Sequence, residues 1–399
     1  RRAGPSCSIE MFSLGVLARH ADQLLKEGEE QHKVALASAD PAVANVEHKK
    51  ARQMFEEAGD EYRTLRAKTK LIEQKLASLM NAQLLYYKAQ RWNKCFDVLE
   101  EAEKMLREVN ETTKDAKEKK KNHDRLMTVI KRRAALQFDF FRIPESIANY
   151  RTLYELDPKG TDGEDALLNA AKLAYFNSNW KLSVELNREI IARFSKKPGK
   201  KDDVYQAAWR IPEAYKKMND IPGYIRELRS YIKQYTGDAK VSAKIFQSLV
   251  EIALIYRSRG DKKQEFKEWQ NIIDAFKKGG FAQNGGTEAA AAAQGEYWLM
   301  EPRYDAYLKT KLTENKKLSP SKRMTDLQKQ VVNMVDSATG KVTKVKDPAT
   351  GQMVEKRVGG IYNDYVLNVS VYGSRNWSYA AFLSRDQVLT HLARTIYDA

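Results

Sequence analysis

The side chains that most often carry out chemistry in proteins are scattered along this sequence, without the spacing that a reaction needs. None of the histidines has a second ligand at the spacing of a metal site; they are His20, His32, His48, His123 and His391. Thr339-Gly340-Lys341-Val342 contains the Gly-Lys step of a phosphate loop, but it lacks the upstream glycine and the Ser or Thr after the lysine. No dinucleotide-binding glycine pattern and no nucleophile elbow appear. We therefore expect no enzyme activity, no catalytic residue, no metal and no cofactor.

The two cysteines are too few for a disulfide framework. Cys95 falls at a core position of a helical pattern, so we expect a small buried residue there. Cys7 lies in a loosely patterned head segment. Carboxylate pairs such as Glu56 and Glu57 are abundant, and on exposed helices they are typical of solvated faces.

The amino-acid composition favours helices and a highly charged, solvated surface. The chain has 399 residues, of which 42% are hydrophobic and 31% charged, with only 20 Gly and 10 Pro. The net charge of +16 attracts polyanions such as nucleic acid, anionic lipid or acidic protein, and it is also what a soluble Lys-rich surface carries. No apolar run approaches the roughly 18 residues of a membrane span.

Five segments share one pattern: an apolar stretch with small residues, a short polar turn, and a residue that opens a second helix. Aromatic and small apolar residues recur at steps of three and four on both sides of the turn. The residues predicted to open the second helices are Trp92, Ile143, Trp180, Ile221 and Lys262. Their separations are 51, 37, 41 and 41 residues.

This arrangement resembles the tetratricopeptide repeat (TPR) family, whose standard period is about 34 residues. The resemblance implies an all-α fold, an elongated helical-hairpin (TPR-like) solenoid. Near the C-terminus, two alternating β-prone stretches flank Asp347-Pro348-Ala349-Thr350-Gly351 and predict a small, Lys-rich β-hairpin insertion. We expect long N-terminal helices over 1–78, the repeat array over 79–280, and a C-terminal helical hairpin over 281–399 with the polar insertion at 339–360.

In tetratricopeptide arrays the first helix of each pair lines a groove. The resemblance implies that the following residues face it: Tyr87, Lys88, Lys172, Tyr175, Phe176, Trp209, Glu213, Lys216, Lys217 and Arg257. The set mixes aromatic and basic side chains, which suits an acidic or extended protein segment. For Tyr87 and Phe176 the alternative is burial between repeats.

The C-terminal part resembles large envelope TPR proteins of the bacterial adventurous-gliding-motility type. The residues that carry the resemblance are Tyr304, Tyr307, Tyr362-Asn363-Asp364-Tyr365 and Trp377-Ser378-Tyr379-Ala380-Ala381-Phe382. It covers roughly residues 165–399, and the sequence departs from the pattern in the hairpin insertion and in Val388-Leu389-Thr390-His391-Leu392-Ala393, where a glycine is usual.

That resemblance implies a periplasmic or outer-membrane-associated scaffold for protein-protein interactions in a multiprotein machine. Three alternatives stay open: a cytoplasmic repeat adaptor, an RNA-associated repeat protein, and the helical superstructure of a peptidoglycan lytic transglycosylase. The charge favours an RNA partner, but no recognised RNA-binding module is present. The chain begins at Arg1 rather than Met and ends within a helical pattern, so we expect it to be part of a longer protein whose signal peptide lies outside this sequence.

Overall fold

The computed structural model describes residues 5–281, 286–348, 350–372 and 376–398, without the side chains of 5–13, 369–372, 376–380, 382 and 383. Within those ranges it contains sixteen α-helices and one two-stranded sheet. The predicted fold class, all-α helical-hairpin repeats with a small β-hairpin near the C-terminus, is confirmed. The chain divides into two compact units, Arg1–Val204 and Tyr205–Ala399.

The first unit consists of helices that each pack against the next one in sequence. They are α1 (Pro5–Ala37), α2 (Pro41–Lys68), α3 (Ile72–Lys88), α4 (Trp92–Thr112), α5 (Ala116–Asp139), α6 (Ile143–Leu156), α7 (Thr161–Phe176) and α8 (Trp180–Phe194). Helix α9 (Lys201–Lys217) contains the boundary between the units.

The second unit continues the pairs and ends in the segment that carries the hairpin. Its elements are α10 (Ile221–Tyr235), α11 (Ser242–Ser258), α12 (Lys262–Gly279), α13 (Gly286–Leu308), α14 (Pro320–Thr339), β1 (Lys341–Lys346), β2 (Met353–Val358), α15 (Ile361–Tyr372) and α16 (Asn376–Tyr397). Helices α13, α15 and α16 pack against one another, and α14 lies against the last two.

The five predicted second helices begin at the predicted residues, because one turn recurs five times. Each turn has three residues, and its central residue is left-handed: Gln90, Phe141, Ser178, Asn219 and Gly260, with φ between 56° and 71°. In every turn the last N–H donates to a carbonyl five residues earlier, which satisfies a helix-end carbonyl that would otherwise lack a partner. In the last three turns the third residue is Asn or Asp, and its side chain caps the following helix.

Small residues let the helices of the first unit approach closely. Cys95 is fully buried, as predicted, and its thiol faces the carbonyl of Gln83 at 3.5 Å. Ser146 occupies the equivalent position of the next pair and donates to the carbonyl of Ala134 at 2.7 Å. Gly59 lies inside α2, where a Cβ would stand 2.7 Å from the Tyr86 ring, so only glycine admits that ring.

In the second unit, four of the five alanines at 289–293 in α13 are buried, and a Cβ on Gly295 would lie 3.1 Å from the carbonyl oxygen of Trp269. The close approach of α12 and α13 therefore depends on small side chains. Two further helix boundaries depend on the local backbone. Apolar residues continue at helical spacing through 49–89, but α2 ends at Lys68 because Thr69 is extended. Pro320 lies in the first turn of α14, where proline is tolerated.

Candidate protein-binding surface

All ten predicted groove residues lie on first helices of the pairs. Tyr87 and Lys88 end α3, Lys172 to Phe176 end α7, Trp209 to Lys217 end α9, and Arg257 lies near the end of α11. Five of them lie in the first unit and five in the second. Some of them are exposed, and others make contacts that hold the helices together.

In the first unit, the aromatic residue three positions before each turn centre is held the same way in two pairs. The Tyr87 ring meets Trp92 of α4 edge to face, with ring centroids 5.3 Å apart. Tyr175 meets Trp180 of α8 at the same distance. Tyr87 remains 43% exposed and Phe176 76% exposed, so neither is buried between repeats.

Lys88 is held by the N-terminal helices. Its Nζ lies 2.7 Å from the carboxylate of Glu29 on α1 and 5.3 Å from the centroid of the Phe55 ring on α2. The hydrogen bond and the positive charge of Lys88 lower the pKa of Glu29. The ammonium group is therefore partly neutralised within the unit, whereas Lys172 on α7 is exposed.

Two exposed apolar residues on first helices of the first unit were not predicted from the sequence. Phe138 on α5 occupies the position of Tyr87 and Tyr175 and is 48% exposed; Leu84 on α3 is 46% exposed. A signal was present, because the repeat separations of 51 and 37 residues lead from Tyr87 to Phe138 and from there to Tyr175. We call Leu84, Tyr87, Phe138, Tyr175 and Phe176 the aromatic surface.

In the second unit, Trp209 is half-buried and joins three helices. Its Nε1 donates to the Glu213 carboxylate on the same helix at 2.8 Å, and its ring meets Tyr231 of α10 edge to face at 5.5 Å. The ammonium group of Lys244 on α11 lies 4.3 Å from the centroid of the indole ring, a close cation–π contact. Lys244 lies in the first turn of α11 and is not among the predicted groove residues.

The two neighbouring lysines of α9 have different surroundings. Lys216 Nζ lies 3.0 Å from the Glu251 carboxylate of α11 and 5.4 Å from the centroid of the Tyr224 ring of α10. Burial, reinforced by the charge of Glu251, raises the pKa of Tyr224. Lys216 therefore ties α9 to its neighbours, while Lys217 beside it is exposed.

Arg257 lies at the centre of an internal ion-pair cluster. It donates to Glu265 of α12 at 2.7 Å and, with both terminal nitrogens, to Glu301 of α13 at 2.8 and 2.9 Å. Its guanidinium stacks 3.5 Å from the centroid of the Trp298 ring, and Lys262 adds a contact to the fully buried Glu265 at 3.0 Å. The hydrogen bonds to Glu301 raise the pKa of Arg257 further above its ordinary value. This arginine joins helices.

Among the residues that the structure describes, no three His, Cys, Asp or Glu side chains are grouped so that they could hold a metal ion. None of the described helices combines the length and the apolar character needed to cross a bilayer.

Comparison with known proteins gives structural similarity only. No protein-family model and no curated protein sequence matches the chain. Among solved structures, BtubC from P. vanneervenii is 14% identical, with 54% of this chain and 89% of that chain covered and a TM-score of 0.30. A signal-transduction ATPase with numerous domains and a tetratricopeptide repeat sensor, from Pyrococcus horikoshii, is 11% identical, with 96% and 54% covered and a TM-score of 0.30. Yeast Tom70 is 13% identical, with 95% and 68% covered and a TM-score of 0.28. Similarities of this size transfer no partner, activity or family to this chain.

Proposed function

We propose that this chain is a non-enzymatic scaffold of tetratricopeptide type, in which the first helices of the pairs bind an extended segment of another protein. The proposal depends on the aromatic surface. Tyr87, Phe138 and Phe176 are 43%, 48% and 76% exposed near the ends of three successive first helices. Single exposed apolar residues are common on proteins, but large exposed rings at or next to the same position on successive first helices indicate a surface that a partner covers.

The second unit indicates the chemistry of the partner. Trp209 offers the exposed part of a large ring, with the Lys244 ammonium against it and exposed Lys217 further along α9. Aromatic side chains anchor interfaces, and ammonium groups at the rim attract carboxylates and accelerate encounter. An acidic segment that carries a large aromatic side chain fits this combination. Lys88, Lys216 and Arg257 have a structural role, because their contacts hold the helices in place.

The finer proposal is that the scaffold belongs to a multiprotein assembly of the bacterial cell envelope. It is supported by the resemblance of the C-terminal tyrosine-rich segment to envelope repeat proteins of gliding bacteria. Fractionation of the native organism tests this location. Recovery of the protein in the periplasmic or outer-membrane fraction is expected, and recovery in the cytoplasmic fraction would favour the cytoplasmic or RNA-associated adaptor.

The binding surface is tested by affinity purification from the native organism with quantitative mass spectrometry. We expect the triple variant Tyr87→Ser, Phe138→Ser and Phe176→Ser to lose at least one partner that the wild-type protein retains. The matched control is Val46→Ser on α2, which removes an apolar side chain that is 53% exposed on a different helix. Retention of every partner by a folded triple variant would show that the aromatic surface is not used.

The partner so identified then allows Trp209 to be tested with purified proteins. Because this ring both packs against Tyr231 and remains partly exposed, Trp209→Ala should lower the melting temperature and weaken binding by roughly 2 kcal/mol, about thirtyfold. Lys217→Glu should leave the melting temperature unchanged and slow association, most strongly at low salt. Unchanged affinity and association rate in both variants would exclude the α9 surface.

A further inference from the structure

The two strands of the β-hairpin pair with each other, but both faces of the hairpin are exposed to solvent. Strands β1 and β2 are antiparallel and pair over six residues each, from Lys341 opposite Val358 to Lys346 opposite Met353. All twelve residues are exposed except Val345, which is half-buried. A two-stranded hairpin without a covered face is marginally stable in water, so its ordered pairing requires support from elsewhere.

That support comes from the base of the hairpin. The Arg357 guanidinium donates to the carbonyl of Gly340 at 2.8 Å and to the Thr339 hydroxyl at 3.1 Å. The Asn363 amide donates to the carbonyls of Thr339 at 2.7 Å and Gly359 at 2.9 Å. These bonds join the ends of the hairpin to α14 and α15, and they fix the direction in which it projects.

The chain also enters and leaves the hairpin at nearly the same place. Gly340 has φ of 87°, and a Cβ on it would stand 2.4 Å from the carbonyl oxygen of Gly359. A Cβ on Gly360 would lie 2.2 Å from the Gly340 nitrogen. The hairpin is therefore an insertion that can be removed without separating the helices on either side.

The exposed side chains of the hairpin contribute little to the core. Val342, Met353 and Val358 are 52%, 62% and 49% exposed, so their burial cannot be the reason for the insertion. Among the described residues, the sheet contains no third strand, and the outer edge of β1 has no strand partner. Unpaired backbone groups along such an edge are a template for another extended chain.

We propose that the outer edge of β1 is a docking site for an extended acidic segment of a partner protein, which adds to the sheet as a third strand. Backbone hydrogen bonds would supply affinity, and the side chains of β1 would select the partner. Strand β1 carries Lys341, Lys344 and Lys346 and no acidic residue. Carboxylates on the added strand would lie beside these lysines, where opposite charges across strands are stabilising.

Two other occupants fit the hairpin less well. Single-stranded nucleic acid is bound largely through base stacking on aromatic rings, and residues 341–358 contain no aromatic residue. A second copy of the chain would place the lysines of β1 against those of its partner, which opposes edge-to-edge pairing.

The test uses the whole 399-residue chain and a fluorescein-labelled peptide of alternating Glu and Val, with a Lys-Val peptide of the same length as the reference. We expect the acidic peptide alone to bind, and binding to increase protection of the β1 amides from hydrogen exchange. Lys344→Glu with Lys346→Glu should weaken binding about tenfold or more. The matched control, Lys316→Glu with Lys317→Glu, changes two exposed lysines between α13 and α14 and should bind as the wild type does.

A deletion of residues 341–358 separates docking from folding. Joining Gly340 to Gly359 should abolish peptide binding while the helical circular dichroism and the melting temperature stay as in the wild type. A large fall in melting temperature would show that the hairpin serves the fold and would overturn the proposal.

The proposal is also overturned if the acidic peptide does not bind at millimolar concentration, if protection appears outside β1, or if single-stranded RNA binds in its place. Self-association that depends on the β1 lysines would show that a second copy is the occupant. Trp209→Ala should leave peptide binding at the hairpin unchanged, so this test and that of the first-helix surface can fail separately.

Discussion

At Arg257, a side chain predicted to face a partner instead joins three helices. Glu265 is fully buried, and Arg257 donates charge-assisted hydrogen bonds to it and to Glu301. Removing one member of a buried ion pair is strongly destabilising, and here Lys262 and Trp269 still compensate part of the Glu265 charge, so the low end of the usual range applies. We expect Arg257→Met to lower the free energy of unfolding by about 3 kcal/mol, measured by urea denaturation.

The control for this substitution is Arg226→Met. The Arg226 side chain is 63% exposed and lies 3.4 Å from Glu227. Exposed ion pairs contribute about 0–1 kcal/mol, so this change should be nearly neutral. Equal effects of the two substitutions would contradict the role assigned to the internal cluster.

The same cluster predicts how stability depends on pH. Burial raises the pKa of Glu265, but hydrogen bonds from Arg257, Lys262 and Trp269 outweigh it, and the pKa lies below its ordinary value. A carboxyl group with a lowered pKa stabilises the fold above its unfolded pKa of about 4.3, and this contribution is lost as the pH falls. Between about pH 5 and pH 3, the free energy of unfolding should fall more steeply for the wild type than for Glu265→Gln. Parallel pH profiles would contradict the assignment.

At the scale of elements, the repeated turn can be improved at chosen positions. Phe141 has φ of 57° and is 88% exposed, so its side chain strains the backbone and gains little from packing. Phe141→Gly should stabilise the protein by about 0.5–1 kcal/mol. Asn219→Gly should change stability less, because Asn tolerates the left-handed conformation.

The reverse substitution provides the control for the turn. Gly260 occupies the same position with φ of 71°, and a Cβ there would meet no atom within 4 Å. Gly260→Ala should therefore destabilise the protein by about 1 kcal/mol through backbone strain alone. Thermal unfolding of the variants measures both effects, and stabilisation by Gly260→Ala would contradict the account of the turn.

For the whole molecule, we expect the two units to unfold separately and not in one cooperative step. In repeat proteins each helix pair contacts mainly its neighbours, so a local substitution acts locally. Leu99 in the first unit and Ile272 in the second are both fully buried. Leu99→Ala and Ile272→Ala should each cost about 2–5 kcal/mol in their own unit.

Hydrogen exchange followed by mass spectrometry measures this directly. Leu99→Ala should reduce the protection of α3 to α6 and spare α11 and α12, and Ile272→Ala should do the opposite. Loss of protection over the whole chain in either variant would show that the chain unfolds in a single cooperative step.

The helix pairs, and the residues at which their second helices begin, could be predicted from the sequence. Trp92, Trp180 and Ile221 begin helices as predicted, because a turn and an apolar period lie within a few residues of each. A capping side chain precedes Trp180 and Ile221. The hairpin at 341–358 was also predictable, since alternation and turn residues lie within one short segment. The break at 69–71 was not, because it contains neither Gly nor Pro and the apolar period continues through it.

The exposure of the predicted surface residues depends on the tertiary structure and could not be predicted from the sequence. Lys88 meets Glu29 from 59 positions earlier, Lys216 meets Glu251 35 positions later, and Arg257 meets Glu301 44 positions later. No local pattern encodes such pairings, since they depend on how successive helices are rotated against each other. Phe176, by contrast, is 76% exposed. Residues that hold the helices together and residues that are exposed to a partner are therefore of the same amino-acid types. Only their positions in the fold distinguish them.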